Sequence, residues 1–185
     1  MAPRARIILL NGVGSVGKTS VARALQEIAS SPFLHVQMDA FLDMLPAASF
    51  GTPDGLTFTH GEEGGRPSAA ITSGPVAGRL FRGMRRAIAA MAAEGSDLIV
   101  DDVLGDGDAE DYRRLLQPFD LKLVGLFASL EVLEAREAAR GDRMVGLAYG
   151  QFDRVHRNIA YDLWVDTTHS TPAESAAQIA AAFGL

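Results

Sequence analysis

Apolar residues follow two alternating patterns along this chain of 185 residues. Short, continuous apolar runs, of which residues 7–10 and 98–100 are the clearest, are typical of buried strands. Between these runs, apolar residues three and four positions apart, such as Val21, Leu25 and Ile28, are typical of helices that bury one face. The alternation of strand and helix predicts an α/β fold, in which helices cover both faces of a parallel sheet.

The same patterns give approximate bounds for the elements. Strands are predicted at residues 6–10, 33–38, 98–100, 121–128 and 163–165. Helices are predicted at residues 18–29, 40–45, 76–93, 109–116, 130–140, 149–156 and 172–183. Residues 47–67 are rich in Gly, Pro, Thr and Ser, and the alternation at 56–59 indicates a small hairpin or an extended loop. Trp164 alternates with apolar residues in the last predicted strand, which places it in the core.

Composition and charge narrow the function classes. The formal net charge is -6, which gives no basic face for nucleic acid, so no nucleic-acid partner is expected. The chain has no cysteine, which excludes disulfides and thiolate catalysis. No apolar stretch approaches the ~18 residues of a membrane span, and the N-terminal apolar run is too short for a signal peptide. We therefore expect no membrane partner and a cytoplasmic location; self-association stays open.

A glycine-rich segment joins the first predicted strand to the first predicted helix. Two glycines stand five residues apart and are followed directly by Lys18 and Thr19. Such a segment turns backbone N–H groups toward an anion, and its lysine reaches the β- and γ-phosphates. The sequence therefore predicts a P-loop that binds ATP, with the Thr19 hydroxyl on Mg²⁺. The nucleotide-binding residues predicted for this segment are Gly12, Val13, Gly14, Ser15, Val16, Gly17, Lys18, Thr19 and Ser20.

Two aspartates follow the apolar run at residues 98–100. Mg²⁺ in nucleotide sites is commonly held by one or two carboxylates together with the phosphates. We therefore predict that Asp101 is a water-mediated magnesium ligand and that Asp102 faces the acceptor substrate. The alternative is that these aspartates only cap the turn after the strand.

Asp39 follows the second predicted strand, where ligands of parallel sheets gather. A carboxylate at this place can take the proton of an acceptor hydroxyl as its oxygen attacks the γ-phosphorus. Asp39 is therefore a candidate general base and substrate-binding residue. It could equally cap the helix that begins at Ala40, and Asp43, four residues later, is the competing candidate for the base.

Three arginines recur at helical spacing toward the C-terminal third of the chain. Arg136, Arg140 and Arg143 are four and three residues apart, so on a continuing helix they form one basic stripe. With glycines at 141 and 146, a lid over about residues 136–148 could bring this stripe onto the triphosphate and stabilise the transition state. The alternative is a solvated face that pairs with Glu134 and Glu137.

With these motifs, the chain resembles the chloramphenicol phosphotransferase family of P-loop kinases. The resemblance rests on Asn11-Gly12 before the loop, Met38-Asp39, and the runs at residues 99–103, 139–143 and 161–169. It implies a single P-loop kinase domain over residues 1–185: a three-layer sandwich with a five-stranded parallel sheet and a helical lid. It also implies ATP-dependent phosphorylation of an antibiotic hydroxyl. The roles implied by position are a catalytic base at Asp39, phosphate and metal binding at Lys18 and Thr19, lid arginines at Arg140 and Arg143, and a loop near the adenine at Thr168 and His169.

The acceptor is the least determined part of the sequence. The acceptor-binding loop is predicted at about residues 46–67, and the stretch 40–65 contains no arginine, which favours a neutral, partly apolar small molecule with a hydroxyl. Candidate pocket residues, which could equally be core, are Phe41, Met44, Phe50 and Phe58. A metabolic kinase acting on a nucleoside, sugar acid or shikimate-like acceptor is the second hypothesis. A nucleotide-dependent switch would need a guanine-specific element such as Asn-Lys-x-Asp, which the sequence lacks.

Overall fold

The structure, a computed structural model, describes residues 4–140 and 144–185. Seven strands are found in this part of the chain: β1 (Arg6–Asn11), β2 (Phe33–Gln37), β3 (Leu56–Glu63), β4 (Arg66–Ser73), β5 (Asp97–Asp102), β6 (Asp120–Phe127) and β7 (Leu163–Asp166). Its α-helices are α1 (Lys18–Ile28), α2 (Met38–Leu42), α3 (Pro75–Ala93), α4 (Asp108–Leu115), α5 (Leu130–Arg140), α6 (Leu147–Phe152) and α7 (Pro172–Phe183). A short 3₁₀ turn covers Ala47–Ser49.

Five strands form one parallel sheet in the order β2-β5-β1-β6-β7. Successive residues of the central strand β1 point to opposite faces, so Ile8 and Leu10 pack with α1, α5 and α7, whereas Ile7 and Leu9 pack with α3 and α4. This arrangement confirms the predicted α/β fold with helices on both faces of a five-stranded parallel sheet. The carboxyl ends of β1, β2 and β5 meet at one edge, and this edge carries the residues discussed below.

Strands β3 and β4 form a two-stranded antiparallel ribbon, which agrees with the hairpin alternative for residues 47–67 and not with the extended loop. Strands β3 and β4 pair along their full length, from Leu56 opposite Ser73 to Glu63 opposite Arg66. The ribbon therefore extends six residues beyond the predicted end at Pro67, because a proline interrupts no ladder when its strand has a free edge. The second strand of the ribbon lies against α6, where Ala69 N–H donates to the Gly146 carbonyl at 2.9 Å.

Two further sequence predictions differ from the structure. The predicted helix at residues 149–156 is the shorter α6, and Trp164 is 46% exposed rather than in the core. Trp164 lies on the last strand of the sheet and covers Gly125, whose missing side chain leaves room for the indole. An edge strand keeps one face uncovered, so alternation alone does not show that both of its sides are buried.

Among the described helices, none combines the length and the hydropathy that a membrane crossing requires.

Candidate active site

The backbone between β1 and α1 forms the predicted loop at the carboxyl edge of the sheet. Gly12 must be glycine because a Cβ there would lie 2.5 Å from the carbonyl oxygen of Leu126. Gly17 has a φ of 100°, and Ser15 has a φ of 63°, a left-handed conformation that few non-glycine residues adopt. The side chains of Val13 and Val16 are buried in the core. These two residues therefore fix the loop, while the backbone between them turns toward solvent.

A cavity of about 160 Å³ lies over this loop and the start of α1. From the predicted nucleotide-binding segment it is lined by Gly14, Ser15, Gly17, Lys18, Thr19 and Ser20. Lys18 Nζ donates to the carbonyls of Gly12 at 2.6 Å and Val13 at 3.1 Å, so its ammonium group lies across the mouth of the loop. The buried Ser15 Oγ has no hydrogen-bond partner among the described residues. An orphaned hydroxyl beside an ammonium group and backbone N–H groups suits an anionic ligand.

Asp101, which lines this cavity, is held by two neighbouring side chains, and a third side chain positions one of these two. Its Oδ2 accepts from the Thr19 hydroxyl at 2.9 Å and lies 2.9 Å from His35 Nε2. The other ring nitrogen of His35 lies 3.1 Å from Gln37 Nε2. Because a carboxylate only accepts, the proton of His35 must be on Nε2. Sequence reasoning missed His35 and Gln37, although their alternation along β2 toward the sheet edge was a possible signal.

The Thr19 and Asp101 oxygens fit a magnesium ion in donor type and position. Both are oxygen donors, which Mg²⁺ prefers, and both face the cavity that the P-loop backbone encloses. In the described part of the chain, no group of three or more acidic, His or Cys side chains could hold a metal ion by itself. The protein would therefore supply one or two ligands, and phosphate oxygens and water would complete the shell.

Asp39 also lines the cavity over the P-loop. It is the second residue of α2, whose N-cap position is occupied by Gln37 without a side-chain capping bond. The capping explanation for Asp39 is therefore wrong, since the helix begins two residues earlier than predicted. Asp43 is exposed and lines neither this cavity nor the larger one described below. The geometry thus favours Asp39 over Asp43 as the carboxylate near the phosphates.

The arginines of the predicted basic stripe do not all face the cavity over the P-loop. Arg140, at the end of α5, lines the cavity over the P-loop. Arg136 points elsewhere: its guanidinium donates to the Thr167 carbonyl at 2.7 Å and lies 3.3 Å from the Thr167 hydroxyl. Arg143 lies outside the described residues.

The two glutamates proposed to neutralise this stripe have other partners. Glu134 pairs with Arg66 of β4 at 3.0 Å. Glu137 is buried and accepts from the backbone N–H groups of Gly146 at 2.8 Å and Ala148 at 2.9 Å. Glu137 therefore satisfies free N–H groups at the start of α6, which ties α6 to the helix that carries Arg140.

The loop after β7 lies beside the P-loop, as expected for residues near a bound nucleotide. The Thr167 hydroxyl donates to the carbonyl of Val16 at 2.9 Å, which joins the two loops. Thr168 accepts from the N–H of Ser129, whereas His169 is exposed. Arg136, Thr168 and His169 line neither cavity, and their predicted nucleotide contacts remain proposals.

A second cavity of about 320 Å³ adjoins the first. Its apolar walls come from α2, the ribbon, α3 and the segment after β5, and include Leu42, Leu56, Ile71, Phe81 and Leu104. Of the predicted acceptor-binding segment 46–67, only Leu56 lines it. Phe41 packs against the core between sheet and α3, and both Met44 and Phe50 are exposed. The wall comes instead from residues 69–73, because β4 is the strand of the ribbon that faces α6.

Asp102 does not line either cavity. Its carboxylate is buried under α4, where it accepts from the Val103 N–H at 2.7 Å and from the Tyr112 hydroxyl at 2.8 Å. Adjacent strand residues point to opposite faces, so Asp101 and Asp102 cannot both reach the same site. The predicted contact with the acceptor is therefore wrong for Asp102. Burial raises the pKa of Asp102 to about 6, although the hydrogen bonds from Tyr112 and Val103 oppose the shift.

We expect the Asp102→Asn variant to become progressively more stable relative to the wild type as pH rises from 4 to 7. Asp102 has its ordinary pKa of 3.8 in the unfolded chain and about 6 in the folded one. Its stabilising contribution is therefore present below pH 3.8 and lost as pH rises through 6, by about 3 kcal/mol at ~1.4 kcal/mol per pH unit. Urea unfolding of both proteins across this range measures the change, with the exposed Asp43→Asn as control. A constant difference between the variant and the wild type would contradict it.

Gln151, in α6, lies where the two cavities meet. Its carboxamide oxygen accepts from the backbone N–H of Gly14 at 3.0 Å. Of the residues that the structure describes, five line both cavities: Met38, Leu42, Ile71, Val103 and Gln151. Gln151 is the only one with a polar side chain. No sequence signal pointed to it, because its position depends on how α6 packs against the ribbon.

The sequence matches the family described as chloramphenicol phosphotransferase-like proteins over residues 5–184. The chain is also 32% identical over 182 residues to a Mycobacterium tuberculosis protein whose provisional name is that of an O-phosphotransferase; the match covers 95% of this chain and 80% of that protein. The chain therefore belongs to the chloramphenicol phosphotransferase-like family. It is a phosphotransferase of the class that acts on hydroxyl groups.

Solved structures agree on the fold. The tunicamycin resistance protein of Deinococcus radiodurans is 23% identical, with a TM-score of 0.66 over 98% of this chain and 97% of that one. The APS kinase of Mycobacterium tuberculosis, solved with AMPPNP and APS, is 16% identical, with a TM-score of 0.66 and full coverage of both chains. At these identities the likeness shows the fold, which is that of P-loop kinases.

Proposed function

We propose that this protein transfers the γ-phosphoryl group of ATP, with Mg²⁺, to a hydroxyl of a small, largely apolar molecule such as chloramphenicol or a related antibiotic. Such a reaction would inactivate the antibiotic. The observation that carries the proposal is the pair of adjoining cavities: one has Lys18, Arg140 and the P-loop, and the other has mainly apolar walls. Asp39 lies in the smaller cavity with the phosphate-binding groups, and α2 also contributes Leu42 to the boundary between the two.

The proposed reaction breaks one bond and forms one. The acceptor oxygen attacks the γ-phosphorus, its proton passes to the carboxylate of Asp39, and the bond to the β-phosphate oxygen breaks to release ADP. Lys18 and Arg140 stabilise the negative charge on the phosphate oxygens, which spreads in the transition state. Thr19 and Asp101 would hold Mg²⁺, which neutralises phosphate charge when bound.

The walls of the larger cavity favour an acceptor with substantial apolar surface. Four large apolar side chains are part of the wall: Leu42, Leu56, Phe81 and Leu104. Each can stabilise a bound apolar ligand because the contact excludes water from both surfaces. Asp108 also lines the cavity, but its carboxylate is paired with Arg85 at 2.9 Å. Its charge is therefore largely neutralised.

One residue favours a second candidate, a metabolic acceptor with an anionic group. Arg154, just beyond α6, lines the larger cavity, and its guanidinium has no ion pair within the described ranges 4–140 and 144–185. The absence of arginine from residues 40–65 was the basis for expecting a neutral acceptor. The arginine that lines the cavity comes instead from a distant part of the chain. An acceptor with a carboxylate, such as a sugar acid or a shikimate-like acid, would find a partner there.

A two-part acceptor panel distinguishes the candidates. We expect purified protein with ATP and Mg²⁺ to phosphorylate chloramphenicol or a related neutral alcohol, detected by mass spectrometry of the product. In Arg154→Gln, the ratio of kcat/KM for chloramphenicol to kcat/KM for gluconate should rise by about 10- to 100-fold, because only the acid loses a charged hydrogen bond. If the wild type phosphorylates gluconate or shikimate faster than every neutral alcohol, the second candidate is favoured.

The control for this panel is Arg157→Gln, an exposed arginine on the same segment that lines neither cavity. It should leave the ratio as it is in the wild type. ATP consumption that no acceptor of either kind increases would count against the proposed function itself.

A further inference from the structure

The polar contact at the boundary between the two cavities points to an additional catalytic residue. Phosphoryl transfer requires the γ-phosphoryl group to pass from the P-loop cavity to a hydroxyl in the larger one. Among the described residues, four of the five that line both cavities are apolar, so Gln151 alone of these five can donate a hydrogen bond from its side chain to the transferred group. On the basis of the proposed function, we propose that the NH₂ group of Gln151 donates to the equatorial oxygens of the γ-phosphoryl group during transfer.

The orientation of this carboxamide follows from its contact with the P-loop. The Gly14 N–H is a donor, so the group that accepts from it at 3.0 Å must be the carboxamide oxygen. The NH₂ group then points away from Gly14. It has no hydrogen bond in the part of the chain that the structure describes, which leaves two donors for a ligand at the boundary.

The position of Gln151 is fixed by contacts at two places along its short helix. Glu137 holds the first turn of α6 through the N–H groups of Gly146 and Ala148. In its middle, the helix approaches the ribbon so closely that a Cβ on Gly150 would lie 2.1 Å from the Ala69 carbonyl oxygen. A donor held by such packing needs little reorganisation during the reaction, which is the condition for effective charge stabilisation.

Asp39 and Gln151 would then have complementary roles in the transfer: one is a proton acceptor and the other is a hydrogen-bond donor. Asp39 accepts the proton of the hydroxyl, whereas Gln151 donates to the equatorial phosphoryl oxygens, over which negative charge is spread in the transition state. A donor to the phosphoryl group and an acceptor for the hydroxyl proton would together align the two reacting groups. A merely structural Gln151 would instead act only through its bond to Gly14.

The Gln151→Met variant tests the assignment, because methionine keeps the length of the side chain without its polar atoms. We expect kcat with the best acceptor of the panel to fall by about 10- to 100-fold, the cost of one hydrogen bond to a charged group. The dissociation constant of ADP, measured by calorimetry, should stay within about threefold. Gln117→Met, on a surface away from both cavities, is the matched control and should behave as wild type.

Two results would overturn the assignment. If Gln151→Met kept kcat within about threefold of wild type, Gln151 would have no part in transfer. If ADP affinity fell in parallel with kcat, Gln151 would only support the P-loop. Should wild type phosphorylate no acceptor, the proposed function fails, and the same comparison on slow ATP hydrolysis, in which water takes the phosphoryl group, still tests Gln151.

Discussion

The Asp39→Asn variant should lose about 10²- to 10⁴-fold in kcat, the usual contribution of a general base. Asparagine has nearly the same size but cannot take the proton of the attacking hydroxyl. Because Asp39 lines the cavity over the P-loop without belonging to the loop, we expect the affinity for ADP to change by less than about threefold. Steady-state kinetics with a phosphorylated acceptor and calorimetry with ADP measure the two quantities separately.

The matched control for this variant is Asp43→Asn. Both aspartates belong to the same short segment, but Asp43 is exposed and lines neither cavity. Equal losses in the two variants would show that the effect comes from the stability of α2 or from net charge. Undiminished turnover in Asp39→Asn would remove Asp39 from the role of base.

The Lys18→Ala variant should lose about 10²- to 10³-fold in kcat/KM for ATP, comparable to the removal of one preorganised group that stabilises transition-state charge. The ammonium group of Lys18 lies against the carbonyls of Gly12 and Val13, at the mouth of the phosphate-binding loop. Its loss should therefore weaken the contact with the β- and γ-phosphates and raise the KM for ATP as well as lower kcat.

Lys122 supplies a control of the same residue type, since it is the only other lysine in the chain. It lies on β6 and pairs with Asp120 at 3.0 Å, far along the chain from the P-loop. Lys122→Ala should retain wild-type kinetics. Normal ATP-dependent turnover in Lys18→Ala would mean that the loop does not bind the transferred phosphate.

The donor side of the site was largely predictable from the sequence because its motif is local. The two glycines, Lys18 and Thr19 are neighbours in the chain, and the backbone conformations they need, at Gly17 for example, are set within a few residues. The strand before the loop and the helix after it follow from their apolar periods. The place of Asp101 in the cavity could be predicted too, because it directly follows the apolar run at residues 98–100.

The acceptor side was predicted less well because several separate segments build it. Arg154 and Gln151 line the larger cavity because α6 packs on the ribbon. Neither a hydrophobic period nor a motif in the sequence predicts that packing. Asp102 was assigned to the acceptor from its place in the chain, but the side-chain alternation of β5 turns it under α4. The alternative interpretation of the basic stripe paired Glu137 with the arginines, whereas its carboxylate accepts from backbone N–H groups at the start of the next helix.

The sequence by itself determined the alternation of helices with the five strands of the parallel sheet, the P-loop and the class of chemistry that this loop supports. These properties depend on hydrogen bonds and side-chain periods that repeat over a few residues. Only the tertiary structure decided which side chains meet around the P-loop: Asp39 rather than Asp43, Arg140 apart from Arg136, and Gln151 between the two cavities. The physical reason is that these contacts join residues distant in sequence, and their geometry is set by the packing of whole elements against one another.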